Sequence, residues 1–136
     1  MDVSISLNKS SIMTEVYKIT GYTGAKSGDV DKISSSEDDS DILDNYFDEA
    51  TGAISDIISS YGAINRTDIS LTLPSNWKET VKPSLETNLE SYIVNYICLK
   101  WFNLAKKEDV SYYNEVLKTI SSNIVKLICE RKRPVR

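Results

Sequence analysis

Histidine is absent from this sequence, and cysteine, proline and glycine are scarce. The 136 residues include no histidine, two cysteines, three prolines and five glycines. Without histidine, the chain cannot form a Ser-His-Asp triad or the histidine-containing zinc sites, and it lacks the commonest general base. The carboxylates that remain fall at positions that are predicted to face solvent, where side chains contribute little to catalysis. We therefore expect a protein that is not an enzyme and that holds no metal and no cofactor.

The two cysteines and the lack of a long apolar run indicate where the chain folds. Cys98 and Cys129 form neither a CxxC pair nor a disulfide framework, and both lie in apolar helical patterns. We expect both thiols to be buried and reduced. No run of 18 apolar residues occurs, and the first ten residues do not resemble a signal peptide. These features predict a soluble protein, not a membrane protein, that is assembled in a reducing cytoplasm.

The size and composition are those of one globular domain spanning residues 1–136. The chain is 40% hydrophobic and 26% charged, and its net charge of −4 argues against a general nucleic-acid binder. The charge is unevenly distributed. Residues 29–56 hold ten acidic side chains and a single lysine, whereas residues 126–136 hold five basic side chains and a single glutamate. This asymmetry predicts that the basic end of one copy contacts the acidic region of another.

Apolar spacing predicts a mainly α fold, a bundle of three to four amphipathic helices with a short β-strand or hairpin insertion. The longest pattern covers residues 40–61, and we expect glycine 62 to end that helix. A modest helix begins near Ser10 and is expected to end at Gly21, and two more follow Pro83 and Asp109. Alternating apolar residues at 3–7 and 69–73 predict strands. The apolar stripe of the helix after Pro83 is unusually wide, which implies burial from more than one side.

Residues 21–39 are predicted to be a flexible surface loop. Gly21, Gly24, Lys26 and Ser27 suggest a phosphate-binding loop, but an alanine separates Gly24 from Lys26, and a helix instead of a strand precedes the segment. The acidic residues at 29–41 suggest a calcium loop, yet serines occupy the sixth and twelfth positions, where glycine and glutamate are required. A glycine turn followed by a solvated, helix-capping acidic run fits these residues better.

Two further clusters each allow more than one interpretation. The first is aromatic and consists of Tyr92, Tyr96, Trp101, Phe102, Tyr112 and Tyr113. It forms either a core layer or a subunit interface. The second is the basic tail at 131–136, which is a solvated helix end, a phosphate contact, or an arm that docks on a neighbour. We favour the arm, because the acidic side chains on the outer face of the 40–61 helix offer it a surface. The expected interface residues are Asp44, Asp48, Arg131, Lys132, Arg133 and Arg136.

The order of these segments resembles that of the head-to-tail connector, or neck ring, proteins of tailed bacteriophages. KITGYTGAKSGD is followed by DDSDILDNYFDEATGAI, then LPSNW, LESYIVNYICLKWF, SYYNEVL and ERKRPVR. The closest likeness is to the versions in phages of Bacteroides-type hosts, including the crAss-like group, and it extends from about Ile12 to Arg136. The phrases IVNYICLKWF and RKRPVR carry most of it.

The resemblance implies a non-enzymatic virion protein that forms a homo-oligomeric ring, commonly a dodecamer, between portal and tail in the neck. Its partners would be the portal protein, adjacent neck or tail proteins, and double-stranded DNA that passes through the channel without sequence-specific binding. The acidic content fits a channel whose walls repel phosphates. Two alternatives remain open: a small cytoplasmic helical regulator or adaptor that binds a partner protein, and a nucleic-acid binder that acts through the basic tail.

Overall fold

The computed structural model describes residues 1–27, 40–104 and 110–131 of the chain. Within these ranges the elements run in the order β1 (Asp2–Ser6), α1 (Lys9–Ser27), α2 (Ser40–Ile58), β2 (Gly62–Asn65), β3 (Asp68–Thr72), a 3-10 turn (Glu79–Val81), α3 (Lys82–Leu104) and α4 (Val110–Ile128). This confirms the predicted fold class, four helices with a small antiparallel sheet.

The three strands form one antiparallel sheet in the order β1-β3-β2. Val3 pairs with Leu71 and Ile5 with Ile69, so the apolar residues of the two strands lie on the same face. That face is buried, while the alternate residues of β1 and β3 are exposed. One solvated face is the usual state of a small antiparallel sheet. The alternation seen in the sequence therefore predicts both strands correctly.

Helix α3 lies at the centre of the helical part of the molecule. It packs against α1, α2 and α4, and Leu85, Ile93, Ile97 and Phe102 on it are fully buried. Each such side chain contributes about 1.5–3 kcal/mol relative to an exposed one. The wide apolar stripe does indicate burial from several sides, as predicted. The surfaces that cover it belong to the same chain, so the stripe needs no neighbouring subunit.

The end of α1 differs from the prediction. The helix passes through Gly21 and continues to Ser27. Glycine in a helix interior costs about 1 kcal/mol relative to alanine, which a helix with further favourable residues can absorb. The segment that suggests a phosphate-binding loop is therefore helical at 21–27, not a loop. Residues 28–39, which complete the predicted loop, lie outside the described residues.

Helix α2 ends before the expected stop. It closes at Ile58, and Gly62 begins strand β2 instead of terminating the helix. A Cβ at Gly62 would overlap the Ser70 carbonyl oxygen of the paired strand, so glycine is required there by the close approach of two backbones. The apolar face of α2 also differs at one position. Phe47 is buried as predicted, but Ile42 in the first turn is 40% exposed.

Trp77 joins the end of α4 to the start of α3. Its side chain is buried, and its indole N–H donates to the carbonyl of Leu127 at 3.1 Å. The Trp77 backbone forms an antiparallel bridge with Arg131, and the Lys78 N–H donates to the Glu130 carbonyl at 3.2 Å. Trp77 therefore anchors the chain before α3, and its partner is the chain that leaves α4.

Alanine substitutions at two glycines, one crowded and one with open space beside it, test the placement of β2 and α2. Gly62→Ala should lower the free energy of unfolding by about 2 kcal/mol, because the added methyl group meets the backbone of β3. Gly52→Ala in the middle of α2 should raise it by about 0.5–1 kcal/mol, because nothing lies within 4 Å of the new Cβ and alanine favours helix. Urea unfolding followed by circular dichroism measures both. Equal effects of the two substitutions would contradict the placement of Gly62 in the sheet.

Candidate functional site

The outer face of α2 carries the acidic residues that the sequence singles out. Asp41, Asp44, Asp48, Glu49 and Asp56 are all exposed. Asp41 lies in the first turn of the helix, where a carboxylate interacts favourably with the positive end of the helix dipole. The periodicity therefore predicts the position of this face correctly. It is convex, since it is the solvent side of a helix that is buried on the other side.

Asp44 already has a partner within its own chain. The Lys9 ammonium lies 3.0 Å from the Asp44 carboxylate, and the two side chains are 44% and 51% exposed. The same ammonium lies 5.1 Å from the centre of the Phe47 ring. An exposed ion pair of this kind contributes about 0–1 kcal/mol. The pair joins the start of α1 to α2, and a cation from elsewhere would have to compete with Lys9 for Asp44.

Arg131 is fixed to its own chain at the end of α4. Its guanidinium Nη1 donates to the carbonyls of Ile128 and Glu130, both at 2.9 Å. These carbonyls belong to the negative end of the helix, where a cation is favourable. Arg131 therefore caps the end of α4 within its own chain, and its assignment to an interface between copies stays a prediction. Lys132, Arg133 and Arg136 lie outside the described residues.

The acidic and basic candidates lie towards opposite ends of α2. Ile58, the last residue of the helix, is 14 residues beyond Asp44, or about 21 Å at 1.5 Å per residue. Just beyond that end, the Tyr61 hydroxyl is 3.4 Å from the Cys129 sulfur, two residues before Arg131. One copy of the chain therefore does not bring Arg131 to Asp44 or Asp48. A contact between them would have to join two copies.

The aromatic cluster is mostly core. Tyr92, Trp101, Phe102 and Tyr113 are buried, and Phe102 and Tyr113 have ring centres 5.3 Å apart. Tyr112 is the exception, with 64% of its surface exposed and its ring set edge-on against Tyr113. The interpretation as a core layer therefore holds for these four residues. Tyr96 is partly buried, and Tyr112 is the member of the cluster with the exposure expected of an interface residue.

The cysteines also differ from each other. Cys98 is buried, as predicted, and burial followed by the charge of Glu15 raises its pKa to about 12. A thiol with this pKa stays protonated at neutral pH and is a poor nucleophile. Cys129 is exposed, which contradicts the prediction. The apolar pattern of α4 predicts burial of Cys129, but the helix ends one residue earlier, at Ile128, so the pattern does not extend to Cys129.

A groove between α1 and α3 is the feature that sequence reasoning misses. It encloses about 380 Å³, within the range of small ligand sites. Its walls combine two carboxylates, several neutral polar groups and an apolar floor, contributed by Ser11, Ile12, Glu15, Ile19, Thr87, Glu90, Ser91, Val94 and Asn95. The 3.6-residue period places Glu86 and Glu90 on one side of α3. Nothing in the sequence says that this side meets α1 next to Glu15.

Of the two carboxylates that line the groove, Glu90 is partly removed from water and Glu15 is exposed. Partial burial raises the pKa of Glu90, and the negative charge of Glu86, one turn away on α3, raises it further. Both effects disfavour the ionised form of Glu90. A cation placed in the groove would favour that form. The arrangement can therefore bind positive charge.

The described residues form neither a metal centre nor a helix that could span a membrane. Among residues 1–27, 40–104 and 110–131, no group of three or more cysteine or acidic side chains could hold a metal ion. In the same part of the chain no helix is long and apolar enough to cross a membrane. Comparison of the chain with protein-family models, with curated proteins and with solved structures gives no match.

The raised pKa of Glu90 predicts a pH-dependent stability effect. A raised pKa in the folded state means that ionisation opposes folding at a pH above that value, and that this cost is absent below the unfolded-state pKa, about 4.3. Glu90→Gln should therefore raise the Tm at pH 7, by up to about 3 °C. The gain should shrink as the pH falls to 4. Differential scanning calorimetry at several pH values measures it.

Glu115→Gln is the matched control, because it removes one negative charge from an exposed position on α4. A pH-independent gain in Glu90→Gln, or a loss of stability at pH 7, would contradict the assigned electrostatics of the groove.

Proposed function

We propose that this protein is a structural subunit of the head-to-tail connector of a tailed bacteriophage. Copies of the chain form a ring between portal and tail, extend the DNA channel and provide a platform for tail attachment. The resemblance in the sequence suggests this function. The observation that carries it is the position of two oppositely charged regions towards opposite ends of α2, the acidic face around Asp44 and Asp48 and the basic segment that begins at Arg131.

The separation of Asp44 from Arg131 within one copy bears on how the subunits of a ring contact each other. In a ring each subunit uses two different surfaces, one for each neighbour, and the contact is head-to-tail. Asp44 lies about 21 Å along α2 from the helix end near which Cys129 and Arg131 are found, so Arg131 does not neutralise Asp44 within one copy. It can do so by contacting a second copy. Charge complementarity of this kind directs partners together and fixes their orientation more than it adds affinity.

The structure also narrows which residues are available for such contacts. The apolar stripe of α3 and most of the aromatic cluster are covered by the chain's own helices. Among the described residues, contacts between subunits therefore fall to exposed groups such as the acidic face of α2 and Tyr112. Interfaces between separately folded subunits are often polar at the rim with a few aromatic anchors, and these residues fit that composition.

The acidic face of α2 has a second possible place in the ring. Carboxylates that line a channel repel DNA phosphates and so allow the duplex to slide without binding. Asp48 and Asp56 are exposed on this face. The same residues thus serve either as a subunit contact or as a channel wall.

The direct test is co-assembly. The chain is produced together with a portal protein of a tailed bacteriophage of the kind it resembles, and the particles are examined by cryo-electron microscopy and mass measurement. We expect a closed ring of this chain bound to the portal. A chain that stays monomeric and never joins a portal would overturn the proposal and favour the alternative, a helical regulator that binds another protein.

Charge reversal separates the two roles of the acidic face. We expect Asp44→Lys combined with Asp48→Lys to prevent ring formation if this face contacts the basic segment of a neighbour. Intact rings that no longer pass DNA would instead assign the face to the channel. Thermal unfolding should change by only a few degrees, because the pair with Lys9 is exposed.

The control is Asp2→Lys combined with Glu115→Lys, which changes the net charge equally at exposed positions on β1 and α4. If rings and DNA passage are unaffected by the reversal at Asp44 and Asp48, neither role belongs to these residues.

A further inference from the structure

The groove between α1 and α3 differs from the acidic face of α2 in shape and in electrostatics. It is concave and encloses about 380 Å³, and Glu15 from α1 and Glu90 from α3 both line it. No lysine or arginine is among the described residues that line it. A concave, partly desolvated site screens charges less than an open surface does. Because Glu90 is partly removed from water, a cation in the groove interacts more strongly with Glu90 than with an exposed carboxylate of α2.

The electrostatics of Glu90 also favour binding of a cation in the groove. Partial burial and the neighbouring Glu86 both raise the pKa of Glu90. The charge of Glu15 also contributes to the raised pKa of Cys98, which lies buried behind the groove. Glu15 and Glu90 therefore give the groove a negative potential that no basic side chain among its described lining residues compensates. Binding of a positive group would remove the repulsion between Glu86 and Glu90.

The chain itself contains a segment of the required chemistry. Residues 132–136 read Lys-Arg-Pro-Val-Arg, with three cations and one branched apolar side chain. They follow Arg131, which is fixed by its hydrogen bonds to the end of α4, and five extended residues span at most about 17 Å. The long stems of lysine and arginine pack on apolar surface while their charged ends reach carboxylates. Ile12, Ile19 and Val94 provide that surface in the groove.

We propose that residues 132–136 of one copy bind in the α1–α3 groove of a neighbouring copy. This inference rests on the proposed function for the presence of a neighbour. The head-to-tail contact between opposite charges is kept, but its acidic side is the groove with Glu15 and Glu90 instead of the outer face of α2. Asp44 is already paired with Lys9 on an open surface, so it gains little from a second cation, whereas Glu15 and Glu90 have no basic neighbour among the residues that line the groove. The face of α2 is then left for the DNA channel.

The first experiment measures the groove without requiring a ring. A labelled, end-blocked peptide of sequence RKRPVR is titrated with the full chain, and binding is followed by fluorescence anisotropy at 50 mM and 300 mM salt. We expect saturable binding that weakens with salt and falls at least tenfold in the Glu15→Gln, Glu90→Gln double variant. Asp44→Asn with Asp48→Asn, the matched control, should change affinity less than twofold.

Three outcomes of the titration would overturn the inference. They are the absence of saturable binding, equal binding by the groove variant and the unchanged chain, and loss of binding only in the Asp44, Asp48 variant, which would return the segment to α2. Circular dichroism of each variant shows that the fold is retained.

The second experiment identifies the copy that donates the segment. Isotope-labelled and unlabelled full chains are mixed and treated with a carbodiimide, which joins a lysine amine to a carboxylate in contact with it. We expect Lys132 to be joined to Glu15 or Glu90 in products that contain both isotopes. If every product contains a single isotope and mixed products are absent, the segment binds in its own groove, and products at Asp44 or Asp48 would place it on α2. Either result overturns the inference.

Failure of the proposed function can be told apart from failure of this inference. If no ring forms on the portal but the peptide binds through Glu15 and Glu90 and the mixed products appear, the contact between copies stands and the connector function falls. If rings form and the peptide does not bind, the connector stands and the groove assignment falls.

Discussion

Burial of α3 on three sides is the constraint on which the rest of the structure depends. Ile93, Ile97 and Cys98 are fully buried, and α1, α2 and α4 must each turn an apolar stripe towards them. Once the stripes of α1, α2 and α4 face inwards, their charged residues are forced to the outside. The acidic face of α2 and the groove at the edge of the α1–α3 contact are both consequences of this arrangement. The acidic face of α2 and the groove are thus formed by side chains that the core does not bury.

Those parts of the fold that depend on local pattern could be predicted from the sequence. Helices α2 and α4 have clean apolar stripes, and the alternation at Ile69 and Leu71 predicts a strand. The wrong predictions concern helix ends, where a glycine is interpreted from its neighbours in the sequence alone. Gly62 has the appearance of a helix stop, but it is required by the close approach of strand β3. Gly21 has the same appearance, yet a glycine costs too little to end a helix by itself.

For the charged surfaces too, local patterns can be predicted from the sequence, but contacts between distant segments cannot. Clusters of charge along the chain, such as the face around Asp48, can be found by counting. Two features could not be found in this way. The groove brings together Glu15 and Glu90, which are 75 residues apart in the sequence, and only the packing of α1 on α3 places them side by side. The role of Arg131 likewise depends on the carbonyls at the end of α4 and on the position of Trp77, neither of which its basic character reveals.

The electrostatics at Glu90 are not optimised for the stability of a single copy of the chain. Ionised Glu90 is disfavoured by its partial burial and by Glu86, and a neutral side chain at this position would fold more readily. Proteins tolerate such local conflicts mainly where a partner resolves them. The pair of Lys9 and Asp44 shows the opposite state, a carboxylate already compensated within the chain. Of the two acidic regions, the groove is therefore the one whose energy changes most when a cation arrives, although the face of α2 carries more charge.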